Sequence, residues 1–229
     1  MKITNELNKK GVNVFINPIK LYAFEDIIHG VKVKGKTITA IGSNTYRGFH
    51  KINKLKFGAK YYFDNCIITN KEQIIKILTN KPNEKTIDAL ENEIVHQIKI
   101  ELKHNIMNYQ LTSYNKLRKP IDLVFESLVA MIKTLNSGDR NCLIPLLFLP
   151  LDSQMFESPI VFSDNEMKML SIKRSYTFKD IVDKVHYNEI QSFLKEKAEK
   201  IKLQNRIFFD LLWNDRYKKT GGNLFETNI

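Results

Sequence analysis

Residues 84–108 decide what kind of core this chain can build, because they satisfy two incompatible periodicities. With a period of two, residues 86–90 form one strand, Glu91-Asn92-Glu93 a turn, and residues 95–103 a second strand. In that second strand Ile98, Ile100 and Leu102 alternate with Lys99, Glu101 and Lys103. With a period near four, Leu90, Ile94, Ile98, Leu102 and Ile106 make one helical stripe, with Thr86 as a cap. The first reading places a hairpin at the centre of a sheet, and the second places a long helix on a surface. Periodicity alone leaves both open.

Punctuation elsewhere favours a sheet. Residues 12–16, 32–41 and 60–68 are rich in β-branched and aromatic side chains between Gly and Asn, which predicts strands. Residues 71–78 predict a short helix ending before Lys81-Pro82-Asn83. Residues 110–117 and 121–135 read as helices broken at Lys119-Pro120. Residues 142–151 are a continuous apolar run of strand length, the pattern of a central strand buried on both faces. Ser163-Asp164-Asn165-Glu166 has the form of a capping box, opening a helix to Leu170. From Thr177 onward the apolar spacing predicts two or three amphipathic helices, before a tail released at Thr220-Gly221-Gly222. The expected fold is α/β (α+β) with a mixed central sheet. It comprises a basic β-rich subregion at 1–70, a core at 71–160 and a helical subregion at 161–229, packed as one unit.

Charge narrows the class of partner. The 229 residues carry a formal charge of +11, and residues 1–60 hold twelve Lys or Arg against Glu6, Glu25 and Asp26. A +9 excess in one quarter of the chain suits a polyanion. Amide and aromatic side chains (Asn44, Tyr46, Phe49, His50, Asn53, Tyr61, Tyr62) are interleaved with it, groups suited to bases as the lysines are to phosphates. The alternative is a Lys-rich solvated face. Lys32, Lys34, Lys36, Asn44, Arg47, His50, Lys51, Lys54 and Lys56 are the expected nucleic-acid contacts. Cys66 and Cys142 are too few for a disulfide framework or a cysteine-based zinc site, which fits a reducing cytoplasm. The longest apolar run is interrupted by Pro145 and Pro150, so no membrane span is expected.

On the strand reading, Glu101 and Lys103 point to one side, since alternate strand residues share a face. Asp88, thirteen positions earlier, would stand on the preceding strand of the hairpin. Two carboxylates brought together this way make an oxygen site for Mg²⁺.

Across residues 86–151 the chain resembles the PD-(D/E)xK nuclease superfamily, which includes type II restriction endonucleases and RecB-like exonucleases. Asp88 matches the first acid, Glu101-Leu102-Lys103 the (D/E)xK triplet, and residues 110–114 the QxxxY element of RecB-like members. No Pro precedes Asp88, and the hairpin is short. The resemblance implies an αβββαβ core, catalysis by Asp88, Glu101 and Lys103, metal binding by Asp88 and Glu101, and support from Gln110 and Tyr114. It implies a Mg²⁺-dependent DNA endonuclease of the small restriction type, acting on double-stranded DNA as a homodimer. The alternatives are a non-enzymatic nucleic-acid-binding protein and a helical partner-binding protein. Convergence of Asp88, Glu101 and Lys103 within one metal's reach separates the first from the others.

Lesser candidates are a partial GIY-YIG-like stretch at 41–47 and a second E-x-K pattern at Glu166-Met167-Lys168, which its capping-box context makes a helix start. Asp122 and Glu126, one turn apart on an apolar helix, read as a polar edge or as supporting carboxylates.

Overall fold

The computed structural model describes residues 2–49, 57–103, 111–213 and 224, apart from the side chains of Ser43, Asn44 and Arg47. Helices dominate, and the single sheet among the described residues is an antiparallel hairpin of two strands. The mixed central sheet of αβββαβ type is therefore incorrect.

Residues 84–103 take the helical option. The helices are α1 Lys2–Gly11, α2 Phe24–His29, α3 Ala59–Thr69, α4 Lys71–Thr79 and α5 Glu84–Lys103. They continue with α6 Tyr114–Met131, α7 Ser137–Leu143, α8 Ser153–Glu157, α9 Asp164–Met169 and α10 Lys184–Lys200. In α5 the stripe Leu90, Ile94, Ile98 and Leu102 is buried against α6 and α3. Its first turn is held by Asn83, whose Oδ1 accepts from the Thr86 N–H at 2.9 Å, so Asn83 rather than Thr86 is the cap.

At the centre lies α6, with fifteen of its eighteen residues buried, a helix enclosed on all sides rather than amphipathic. It packs against α2, α5, α7 and α10. Pro120 lies inside this helix and does not break it. The carbonyls at the end of α6 are closed by the buried Arg140, which donates to Ala130 O at 3.2 Å and to Ile132 O and Leu135 O at 2.6 Å.

The expected central strand at 142–151 is not a strand, and it is buried only in part: residues 143–144 and 147–151 are buried, while Cys142 and Pro145 are exposed. It runs from the end of α7 through a 3₁₀ turn, Ile144–Leu146, into an extended segment. Side chains take the role of neighbouring strands. The Gln191 amide accepts from Leu149 N at 3.0 Å and donates to Leu149 O at 2.7 Å. Arg206 Nε donates to Leu147 O at 2.7 Å, and Asn115 Nδ2 donates to Leu151 O at 3.0 Å. Pro145 and Pro150, lacking N–H groups, suit a segment with no ladder to complete.

The other predicted strands also change. Residues 60–68 lie in α3, where Ala59, Phe63, Cys66 and Ile67 follow helical spacing and are buried. Residues Val12–Ile16 form a π-helical turn continuing α1, with Phe15 stacked on Phe208 at 5.8 Å. Of residues 32–41 only a hairpin remains, β1 Val31–Val33 and β2 Lys36–Ile38, turning through Lys34 (φ 49°) and Gly35 (φ 77°). Two consecutive left-handed residues make the tight turn that matches strand twist. The helix 71–78 and the Ser163 capping box are observed; beyond Thr177 the described residues form α10 and the 3₁₀ stretch Arg206–Trp213, with residues 177–183 not helical.

Candidate functional site

Helical geometry separates the residues that the nuclease resemblance requires together. Asp88 and Glu101 are thirteen residues apart on α5, about 20 Å at 1.5 Å per residue. Glu101 and Lys103 lie on exposed positions near the end of the helix, while Asp88 is half-buried near its start. The expected hairpin is incorrect, and these residues do not fit a Mg²⁺ site. No group of three or more His, Cys, Asp or Glu able to hold a metal occurs among the described residues. Gln110 lies outside the described residues.

Carboxylates do converge in this fold, on a guanidinium. Arg118 is fully buried on α6. Its Nε donates to Asp122 Oδ1 at 2.7 Å, and its Nη1 donates to Asp88 Oδ1 at 2.9 Å and to the Tyr114 hydroxyl at 2.8 Å. Its Nη2 donates to Glu91 Oε2. Tyr187 donates to Asp122 Oδ2 at 2.8 Å, and Tyr114 donates to Asn92 Oδ1 at 2.5 Å. The Phe148 ring lies 4.7 Å from Arg118 and 4.4 Å from Arg206, between two cations.

Burial pushes the Asp88 carboxyl up, but Arg118 and Lys184, the latter at 3.0 Å, hold it below the ordinary range. For Glu91 burial prevails: with the charges of Asp122 and Asp88 nearby, and despite Arg118, its carboxyl is raised to about 8. Burial likewise raises Asp122, to about 6 against the pull of Arg118. Asp88, Glu91 and Asp122 all face Arg118, and burial with their mutual repulsion outweighs the pull of Arg118 and Arg206, which favours a proton on the cluster. Glu91 is its natural holder, since Glu91 Oε1 has no hydrogen-bond partner whereas both Asp122 oxygens accept one. Tyr114, expected beside a metal, thus belongs to a structural network. Sequence reasoning singled out Asp122 but missed Arg118. The available signal was an Arg and an Asp four apart inside an apolar stretch.

The hollow of about 290 Å³ beside this network, bordered by Asn92, His96, Lys99, Tyr114 and Lys184, offers few open groups. Asn92, Tyr114 and Lys184 already bond to the protein.

The basic N-terminal region is different. Lys32, Lys34 and Lys36 stand on the hairpin, where every residue from 32 to 37 is exposed. None of the three forms an ion pair with a described residue, whereas Lys60, Lys71, Lys119 and Lys197 are each bound to a carboxylate. The end of α2, from which the chain enters the hairpin, is tied to α3: Lys60 Nζ donates to Ile28 O at 2.9 Å, and His29 Nδ1 lies 3.5 Å from Asp64. Among the other expected contacts, Asn44 and Arg47 lie in a 3₁₀ segment, Ser43–Phe49, with side chains outside the described set. His50, Lys51, Lys54 and Lys56 lie outside the described residues. Two aromatics expected on this surface, Tyr46 and Phe49, are instead core, packed on Phe63 at 5.2 and 5.5 Å.

No family model, curated protein or solved structure matches this chain. No helix among the described residues is long and apolar enough to cross a membrane.

Proposed function

We propose that this protein binds nucleic acid, with the lysine-bearing hairpin laid on the phosphate backbone. The observation that carries this reading is the hairpin itself: three exposed lysines within five residues, unpaired with any described carboxylate, in the quarter of the chain that holds +9 of the net +11. Neutralising phosphates releases condensed counterions, so binding of this kind weakens steeply with salt. The buried network around Arg118 maintains the scaffold from which the hairpin projects.

The test is fluorescence anisotropy on a labelled oligonucleotide duplex between about 50 and 200 mM salt. Reversing Lys32, Lys34 and Lys36 to Glu should weaken binding more than tenfold and flatten the log–log salt slope by about three, near 0.9 per lost phosphate contact. Reversing Lys85, Lys168 and Lys173, also exposed but elsewhere, should do much less. Equal losses from both sets, with circular dichroism unchanged, would remove the hairpin from the interface. An unmodified affinity in the hairpin variant would do the same.

A further inference from the structure

On α3, the helix tied to the end of α2 ahead of the hairpin, and on α5 lies an open groove of about 550 Å³, lined by Tyr61, Tyr62, Asn65, Thr69, Gln97 and Ile100. Its chemistry differs from that of an ordinary solvated helix face. Phe57, Tyr61 and Ile100 are 56%, 44% and 49% exposed, and Phe57 and Tyr61 are the most exposed aromatics among the described residues. The rings form a continuous set, with Phe57 and Tyr61 centroids 4.7 Å apart and Tyr61 and Tyr62 5.6 Å apart at 89°. The side chains of Asn65 and Thr69 and the hydroxyls of Tyr61 and Tyr62 bond to no described residue. Donors and acceptors therefore stand open beside the rings.

The charges sort the ligand's parts. Glu101 lines the groove, so a phosphate is disfavoured there. Lys32, Lys34 and Lys36 offer positive charge on the hairpin that follows the α2 segment held by α3. Tyr61 and Asn65 each follow directly on the residues, Lys60 and Asp64, that anchor the segment leading into β1, about 100° round the same helix. A strand of three residues reaches roughly 10 Å, the span of one or two nucleotides. Cys66 also lines the groove, and burial together with the Glu101 charge pushes its thiol up to about 11, so it enters as a neutral wall rather than a nucleophile.

We propose that the α3–α5 groove receives unpaired bases of single-stranded nucleic acid, stacked on Tyr61 and its neighbours, while the hairpin lysines hold the flanking phosphates. Stacking on aromatic rings accepts any base, because every base has a π-face, but it requires a base released from its duplex. This inference rests on the nucleic-acid reading above and adds to it strand state and the site for the base.

The experiment uses the full chain and four labelled probes of equal length: single-stranded DNA, single-stranded RNA, duplex DNA, and a single strand of abasic deoxyribose phosphate. The single strands should bind at least tenfold more tightly than the duplex or the abasic strand. Tyr61→Ala should remove most of that difference while leaving duplex affinity unchanged, and Tyr61→Phe should restore it. The triple hairpin reversal should weaken all four. If base-bearing and abasic strands bind alike, or Tyr61→Ala changes nothing while the hairpin variant still matters, the base groove is overturned and the backbone reading stands. If no probe binds, the backbone reading itself fails, and this inference with it. If the chain sediments as a dimer that Tyr61→Ala dissociates, a second copy covers the groove and the inference is likewise overturned.

Discussion

Replacing Glu91 with glutamine should alter the pH dependence of stability more than stability at any one pH. In the folded chain burial raises this carboxyl to about 8 from 4.5, whereas the unfolded chain leaves it near its ordinary value. Between those limits the folded state binds the extra proton, so stability falls as pH rises through the window. Stability from this source is present below about 4.5 and lost as pH passes about 8. A shift of that size corresponds to about 5 kcal/mol, an upper bound because the proton is shared with Asp122. Glutamine keeps the shape and the acceptor facing Arg118 and has nothing to titrate. It places an amide where Oε1 lacks a partner, a pH-independent cost of about 1–3 kcal/mol. In urea unfolding from pH 5 to pH 9, the difference between Glu91→Gln and the parent should therefore move in favour of the variant by a few kcal/mol. A difference that stays flat across this range would refute the protonated-carboxyl account.

Two further substitutions test the packing. Arg118→Met should cost about 3–5 kcal/mol, because it removes the cation bonded to Asp88, Glu91 and Asp122, and adding Glu91→Gln should recover part of the loss, read as a double-mutant cycle in urea. Gly11→Ala sets a Cβ 2.3 Å from the Phe208 ring and should cost about 1–3 kcal/mol by thermal melting, with Phe208→Leu relieving it; additive losses would show that the ring is not the obstacle.

Local signals were legible where local chemistry decided the outcome. The Ser163 box, whose hydroxyl and the Glu166 carboxylate exchange bonds with each other's backbone N–H, was visible as four letters. The α4 helix, closed before Pro82, was equally plain. The sheet was not legible, because an apolar run reports burial and not strand pairing. Residues 142–151 are as apolar as a central strand, yet their hydrogen bonds go to Gln191, Arg206 and Asn115, partners between 36 and 59 residues away for the bonds at Leu147, Leu149 and Leu151. Nothing within the run announces that. For 84–103 the helical stripe prevailed because it could be buried against α6 and α3 together. The E-x-K triplet then fell on an outer face and lost its companion acid. At 32–41 the β-branched residues announce one strand, but the left-handed turn at Lys34-Gly35 divides it into two.

A helix enclosed on every side has no wet face to tell it how to turn about its own axis. For α6 the rotational setting is supplied by polar groups. A one-residue slip, about 100° of rotation, would carry Arg118 away from Asp88 and Glu91 on α5, and Asp122 away from Tyr187 on α10. Arg118 and Asp122 would keep each other, but Asp88, Glu91 and the Tyr187 hydroxyl would lose their partner. The ions around Arg118 thus act as a key cut for one angle, so that α6 can explore other orientations during folding but can be sealed in only one. In a lineage descended from this chain, positions 91, 118, 122 and 187 are then expected to change together or not at all.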